Sequence, residues 1–94
     1  DARVDLYVQS LSVGEESTKM IKLSDLLDNY RSIAHAPESE RQHLVYKYVL
    51  PIMDPMYMRL CEQKFEEHPK GAKFLIKQIA YFRSTSVPLK PKLI

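Results

Sequence analysis

The spacing of apolar residues along the chain changes near residue 20. Before that point, Val4, Leu6 and Val8 alternate with polar or aromatic neighbours, which is typical of a short strand or an extended arm. From Met20 onward, apolar residues recur every three or four positions, as they do on one face of an α-helix. We therefore predict an N-terminal arm and linker over residues 1–18 and a helical interaction domain over residues 19–84.

Prolines and capping residues divide the helical region into four predicted segments. Pro37 ends the first helix and begins the second, because the residue before a proline avoids the α region. Pro51 should kink or end the second helix, Asp54-Pro55 predicts the start of the third, and Pro69 opens the fourth. The predicted inward face of the first helix comprises Leu23, Leu26, Leu27, Tyr30 and Ile33.

Short connections between these helices indicate antiparallel neighbours. We therefore predict a mostly all-α fold, namely a compact four-helix bundle of short antiparallel helices. An extended or strand-like N-terminal arm precedes the bundle, and an extended basic Pro/Lys tail over residues 85–94 follows it. The arm has no strand partner in this arrangement. It is expected to pack along the bundle, to form a helix after all, or to contact another chain through Val4, Leu6 and Val8.

Composition fits one small globular domain and argues against several other classes. The 94 residues are 45% hydrophobic and 28% charged, which is ordinary for a folded domain. No run of about 18 apolar residues is present, so no membrane-spanning helix and no membrane partner are expected. Cys61 is the only cysteine, which excludes an internal disulfide and favours a cytoplasmic or nuclear setting. Because the chain opens at Asp1 without an initiator Met, we expect it to belong to a longer protein.

Charge is distributed unevenly along the chain. All 12 acidic residues lie at or before Glu67, so residues 1–67 carry a net charge of −4 and residues 68–94 carry +6. Cations beside the aromatic residues Phe74 and Tyr81 suit a nucleic-acid backbone or an acidic peptide. The alternative is that the lysines only neutralise the glutamates of the preceding helix. The candidate basic surface comprises Lys70, Lys73, Lys77, Arg83, Lys90 and Lys92.

Methionine and aromatic side chains crowd around the Asp54-Pro55 turn. Methionine is flexible and polarizable, so such a cluster suits a groove that receives a helical or extended segment of another protein. The alternative is a loosely packed corner of the core, in which methionine fills gaps. The predicted partner-binding groove comprises Tyr46, Tyr48, Ile52, Met53, Met56, Tyr57 and Met58.

The residue pattern does not assemble a catalytic or metal centre. With only two glycines, the chain has no phosphate-cradling loop. Cys61 falls on the predicted inward face of its helix, where a thiol is usually inert. Cys61 and the three histidines lack the close spacing of a structural zinc site. We therefore expect no catalytic residue, no metal and no cofactor, and hence a protein that is not an enzyme.

Over residues 23–66 the chain reads as a helix, a Pro37-Glu38 turn, a helix, a turn over residues 51–55 and a third helix. This order resembles small helical interaction modules such as harmonin-homology and KIX domains, and it implies protein binding without assigning any residue. We expect a non-catalytic protein–protein interaction or self-association domain of a larger intracellular scaffold or regulatory protein. Its expected partner is another protein or peptide, with a homo-oligomer as a further possibility. The alternative is a nucleic-acid-binding module that uses the basic C-terminal helix and tail.

Overall fold

A computed structural model describes Leu6 and residues 15–86, and about 85% of these residues are helical. No strand occurs in the described part of the chain, so the all-α class is confirmed at that level. Four α segments and one π segment follow one another, namely α1 (Glu16–Ala34), α2 (Glu38–Leu44), the π segment (Val45–Met53), α3 (Asp54–Cys61) and α4 (Pro69–Ser86).

The central part of the chain forms one continuous helical rod rather than two helices. α2, the π segment and α3 follow one another without a turn, because Leu44, Met53 and Asp54 all have right-handed helical backbone angles. The prediction that Asp54-Pro55 starts a separate helix is therefore wrong. Within the described residues, α1, this middle rod and α4 make three helices, so the predicted four-helix bundle is not confirmed.

The π segment explains how the middle rod continues past a proline. In an α-helix, a proline ring clashes with the carbonyl group four residues earlier, and proline has no amide hydrogen to donate. The π segment is widened so that hydrogen bonds reach five residues back, as in the bond from the Asp54 amide to the Val49 carbonyl. We attribute the continuity of the rod to this wider turn, which relieves the contact that Pro51 would make in an α-helix.

The hydrophobic core lies where the three helices meet. α1 packs most extensively against α4 and also contacts each part of the middle rod. Its inward face is buried as predicted from the sequence, because the spacing of its apolar residues matches the helical period. The buried residues facing it from the other two helices include Val45, Val49, Met53, Met56, Tyr57, Leu60, Ala72 and Ile79.

The loop between α3 and α4 is held against the start of α1. The Oε2 atom of Glu16 accepts hydrogen bonds from the backbone amides of Glu67 at 2.8 Å and His68 at 2.7 Å. Phe65 is buried in the same loop, and the Lys19 ammonium lies 5.9 Å from the centre of its ring. These contacts fix the start of α4 relative to α1.

The predictions for the two chain ends fall mostly outside the described residues. Val4 and Val8 lie outside them, whereas Leu6 is helical and exposed. α1 begins at Glu16, so residues 16–18 belong to a helix rather than to the predicted linker. α4 continues to Ser86, and the rest of the predicted tail lies outside the described part. None of the described helices is both long enough and apolar enough to cross a membrane.

Candidate functional site

An apolar groove of about 430 Å³ lies between α1 and the middle rod. Asn29 and Ser32 of α1 are exposed and form its polar edge, together with Lys22. Tyr48 and Ile52 stand on the opposite edge and remain partly exposed. The apolar lining comprises Leu26, Ile33, Leu44, Tyr48, Ile52, Met53 and Met56.

The π segment keeps one row of side chains facing the groove. Leu44, Tyr48, Ile52 and Met56 are spaced by four residues, and all four line the groove. Four residues overshoot one turn of an α-helix but fall short of one wider π turn. The two offsets partly cancel along the middle rod, so the row does not rotate away from α1. The π segment thereby keeps the row on the side of the rod that lines the groove.

Four of the seven residues predicted for the groove line it, and three do not. Tyr48, Ile52, Met53 and Met56 are brought together as expected. Tyr46 and Met58 point to solvent elsewhere on the rod, and Tyr57 is buried in the core. Sequence reasoning missed the α1 side of the groove, although the placement of Leu26 and Ile33 on the inward face of α1 was the available signal. The missed lining residues are Lys22, Leu26, Asn29, Ser32, Ile33 and Leu44.

A buried polar network ties the three helices together behind the groove-lining methionines. The Tyr30 hydroxyl of α1 donates a hydrogen bond of 2.5 Å to Oδ1 of Asp54 in α3. Arg83 of α4 donates from Nε to Oδ1 at 2.9 Å and from Nη2 to Oδ2 at 3.1 Å. Tyr30 is fully buried and Asp54 nearly so, whereas the Arg83 side chain is 34% exposed. The carboxylate thus links α1, the middle rod and α4 through charge-assisted hydrogen bonds.

The surroundings of this network raise the pKa values of three side chains, those of Tyr30, Tyr57 and Arg83. Burial raises the pKa of the Tyr30 hydroxyl far above its usual value, and the hydrogen bond to Asp54 acts in the same direction. Burial also raises the pKa of Tyr57 to about 12. The Tyr57 ring packs edge-on against Tyr30, with 6.1 Å between the ring centres, and its hydroxyl donates to the Ile76 carbonyl at 3.2 Å. The hydrogen bond to Asp54 raises the pKa of the Arg83 guanidinium.

The predicted basic surface is only partly assembled. Lys70, Lys73 and Lys77 are exposed on α4. Arg83 turns inward and pairs with Asp54, so it does not lie on their face. Lys90 and Lys92 lie outside the described residues. The sequence signal for the inward turn of Arg83 was its position beside Ile79 and Ser86 on the buried side of α4.

One cluster has the composition of a metal site. Ligand atoms of Glu16, Glu67 and His68 lie within 4.8 Å of one another. The Glu16 carboxylate is already an acceptor for two backbone amides, which accounts for its position without a metal.

Cys61 is exposed, so its predicted inward orientation is wrong. Desolvation of the sulfur by neighbouring side chains raises the pKa of the Cys61 thiol, which disfavours the reactive thiolate.

No family model, curated protein or solved structure matches this chain. The groove and the exposed face of α4 are therefore interpreted from their own chemistry. The groove offers apolar contact with a few hydrogen-bonding groups at its edge. The exposed face of α4 offers cations and aromatic rings.

Proposed function

We propose that the chain is a protein-binding domain that receives an apolar segment of another protein in the groove between α1 and the middle rod. The observation that carries the proposal is the apolar lining, which extends to the surface at Tyr48 and Ile52. Burying such surface is the main favourable term in protein association. Asn29 and Ser32 at the edge supply hydrogen bonds that orient the segment.

The length of the groove favours a helical segment over a compact small molecule. Its lining extends along α1 from Lys22 to Ile33, which is about 16 Å at the rise of an α-helix. A partner helix that presents apolar side chains at positions i, i+4 and i+7 spans about 10 Å, and it fits within that length. A volume of about 430 Å³ has room for a row of a few apolar side chains.

Methionine suits the floor of this groove. Met53 and Met56 are buried there, and their unbranched thioether side chains change shape at little cost. A floor of this kind adapts to leucine, isoleucine or phenylalanine anchors of a partner. We therefore expect selectivity for apolar spacing rather than for one particular sequence.

The matched pair Ile52→Glu and Leu50→Glu tests this proposal. Both residues are exposed on the π segment, at 36% and 43%, but only Ile52 lines the groove. Peptides would be selected from a displayed library of short random sequences on the unmodified chain, and their affinity for each variant measured by fluorescence anisotropy. Circular dichroism confirms that each variant remains folded.

The selected peptides should carry apolar residues at helical spacing. Ile52→Glu should weaken their binding at least about tenfold, because a charge would be placed against an apolar anchor. Leu50→Glu should change it less than about twofold, as expected for an exposed position outside the contact. Selection of no apolar pattern, or an equal loss in both variants, would contradict the proposal. If sedimentation shows that the unmodified chain is oligomeric and that Ile52→Glu alone makes it monomeric, the segment in the groove belongs to a second copy of the chain instead.

A further inference from the structure

The outer face of α4 carries a straight stripe of cations and aromatic rings. Lys70, Phe74, Lys77 and Tyr81 are separated by four, three and four residues, so they lie within a narrow sector of the helix. Lys73 lies beside this stripe. All five residues are exposed, including the large rings of Phe74 at 59% and Tyr81 at 62%. The opposite side of α4 carries the buried residues Ala72 and Ile79.

The lysines of this stripe are not neutralised within the described part of the chain. No salt bridge in residues 15–86 involves Lys70, Lys73 or Lys77, although glutamates occur in the preceding loop. α4 contains no acidic residue. Lysines in its first turn also oppose the helix dipole, so they do not stabilise the helix by that route. The charge on this face is therefore available to an external anion.

The aromatic rings distinguish among anionic partners. Phe74 contacts no other ring in the described residues, and Tyr81 packs only edge-on against Phe82, with 5.2 Å between the ring centres. Exposed rings cost free energy in water and are suited to stacking against flat groups. A single-stranded nucleic acid presents unpaired bases and phosphates in alternation. A duplex hides its bases, and an acidic peptide need present no flat groups.

We propose that the stripe on α4 binds single-stranded nucleic acid, with bases stacked on Phe74 and Tyr81 and phosphates held by Lys70, Lys73 and Lys77. The two rings stand about 10 Å apart along the helix, as do Lys70 and Lys77. A flexible strand can follow this alternation of cation and ring. No residue of α4 lines the groove, so this site is independent of the proposed protein-binding function.

Fluorescence anisotropy with labelled oligo-dT and oligo-U, each about 12 nucleotides long, tests the proposal on the full chain. Both oligonucleotides should bind at low salt, and a preference for one of them indicates whether the nucleic acid bound by the stripe is DNA or RNA. Neutralising three phosphates predicts that the logarithm of affinity falls with the logarithm of salt with a slope of about −2. The double change Lys73→Gln and Lys77→Gln should reduce this slope to about −0.7, the value for the one contact that Lys70 still makes.

Ring removal separates stacking from charge attraction. Phe74→Ala should weaken binding at least about fivefold without changing the salt slope, because stacking is independent of counterion release. Lys64→Gln removes an exposed lysine from the loop before α4 and should change affinity less than about twofold. Circular dichroism checks that the variants are folded.

Three results would overturn the proposal. The first is an absence of binding at low salt, and the second is equal binding of a duplex of the same length. The third is that polyglutamate competes as effectively as oligo-dT and that Phe74→Ala has no effect on binding. The last result would identify the stripe as a site for acidic peptides. None of them bears on the groove, because the peptide assay with Ile52→Glu is read separately.

Discussion

Replacing Asp54 with alanine should lower the free energy of unfolding by about 1–4 kcal/mol. The Asp54 carboxylate accepts hydrogen bonds from Tyr30 and Arg83, and it thereby joins the three helices. Removing it leaves the fully buried Tyr30 hydroxyl without its acceptor. A buried donor that loses its partner costs about 1–3 kcal/mol.

The loss of the ion pair adds less than the loss of the hydrogen bond. Arg83 is 34% exposed, so its guanidinium can turn toward water once Asp54 is removed. A partly exposed pair of this kind contributes about 0–1 kcal/mol. For a domain of this size, each 1 kcal/mol lowers the midpoint of thermal unfolding by about 4–8 °C. Urea unfolding and thermal unfolding, each followed by circular dichroism, measure these two quantities against the unmodified chain.

A double-mutant cycle with Tyr30→Phe isolates the hydrogen bond. In that background no hydroxyl is left without an acceptor, so Asp54→Ala should cost at least about 1 kcal/mol less. Asp28→Ala is the matched control, because Asp28 forms an exposed pair with Arg31 at 3.6 Å and should cost at most about 0.5 kcal/mol. A cost of Asp54→Ala no larger than that of Asp28→Ala, or an unchanged cost in the Tyr30→Phe background, would refute the linking role of the Asp54 carboxylate.

Two further predictions concern alkaline pH and the loop before α4. Because the pKa of Tyr57 is raised from 10 to about 12, its neutral form stabilises the fold below pH 10, and that stabilisation is lost as the pH rises toward 12. Tyr57→Phe should therefore reduce the fall in urea midpoint between pH 10 and 12, and an unchanged fall would contradict this cause. Glu16→Ala removes the acceptor of the Glu67 and His68 amides and should cost about 1 kcal/mol, as losing a helix cap does. Glu15→Ala, which removes no such contact, should cost clearly less in the same urea experiment, and equal costs would argue against the loop contact.

The burial pattern of α1 could be predicted from the sequence because it depends on local periodicity. Leu23, Leu26 and Ile33 recur at helical spacing, and each is buried. The extent of the middle rod could not be predicted in this way. Pro51 and Pro55 are helix breakers in an α-helix, but the wider turn of the π segment accommodates Pro51 and the rod continues through Pro55.

Long-range pairing is the other reason why part of the site was missed. Asp54 has the residue type and position of a helix cap, yet its carboxylate faces Tyr30, which lies 24 residues earlier. Arg83 was predicted to belong to the basic surface, yet Asp54 draws it inward from 29 residues away. Neither partner can be identified from the local sequence, although the position of Arg83 beside Ile79 was a signal that it lies on the inward side of α4. The groove was half predicted for the same reason, because one wall is built from the methionine-rich segment and the other from the distant α1.

The most direct test of the protein-binding groove is nuclear magnetic resonance of the chain labelled at its methionine methyl groups. The four methionines report on different places, because Met53 and Met56 line the groove whereas Met58 is exposed outside it. With a peptide selected on the chain, we predict intermolecular Overhauser contacts from the peptide's apolar side chains to the Met53 and Met56 methyl groups and none to Met58. Contacts to Met58 without contacts to Met53 and Met56 would contradict the assignment of the groove as the binding site.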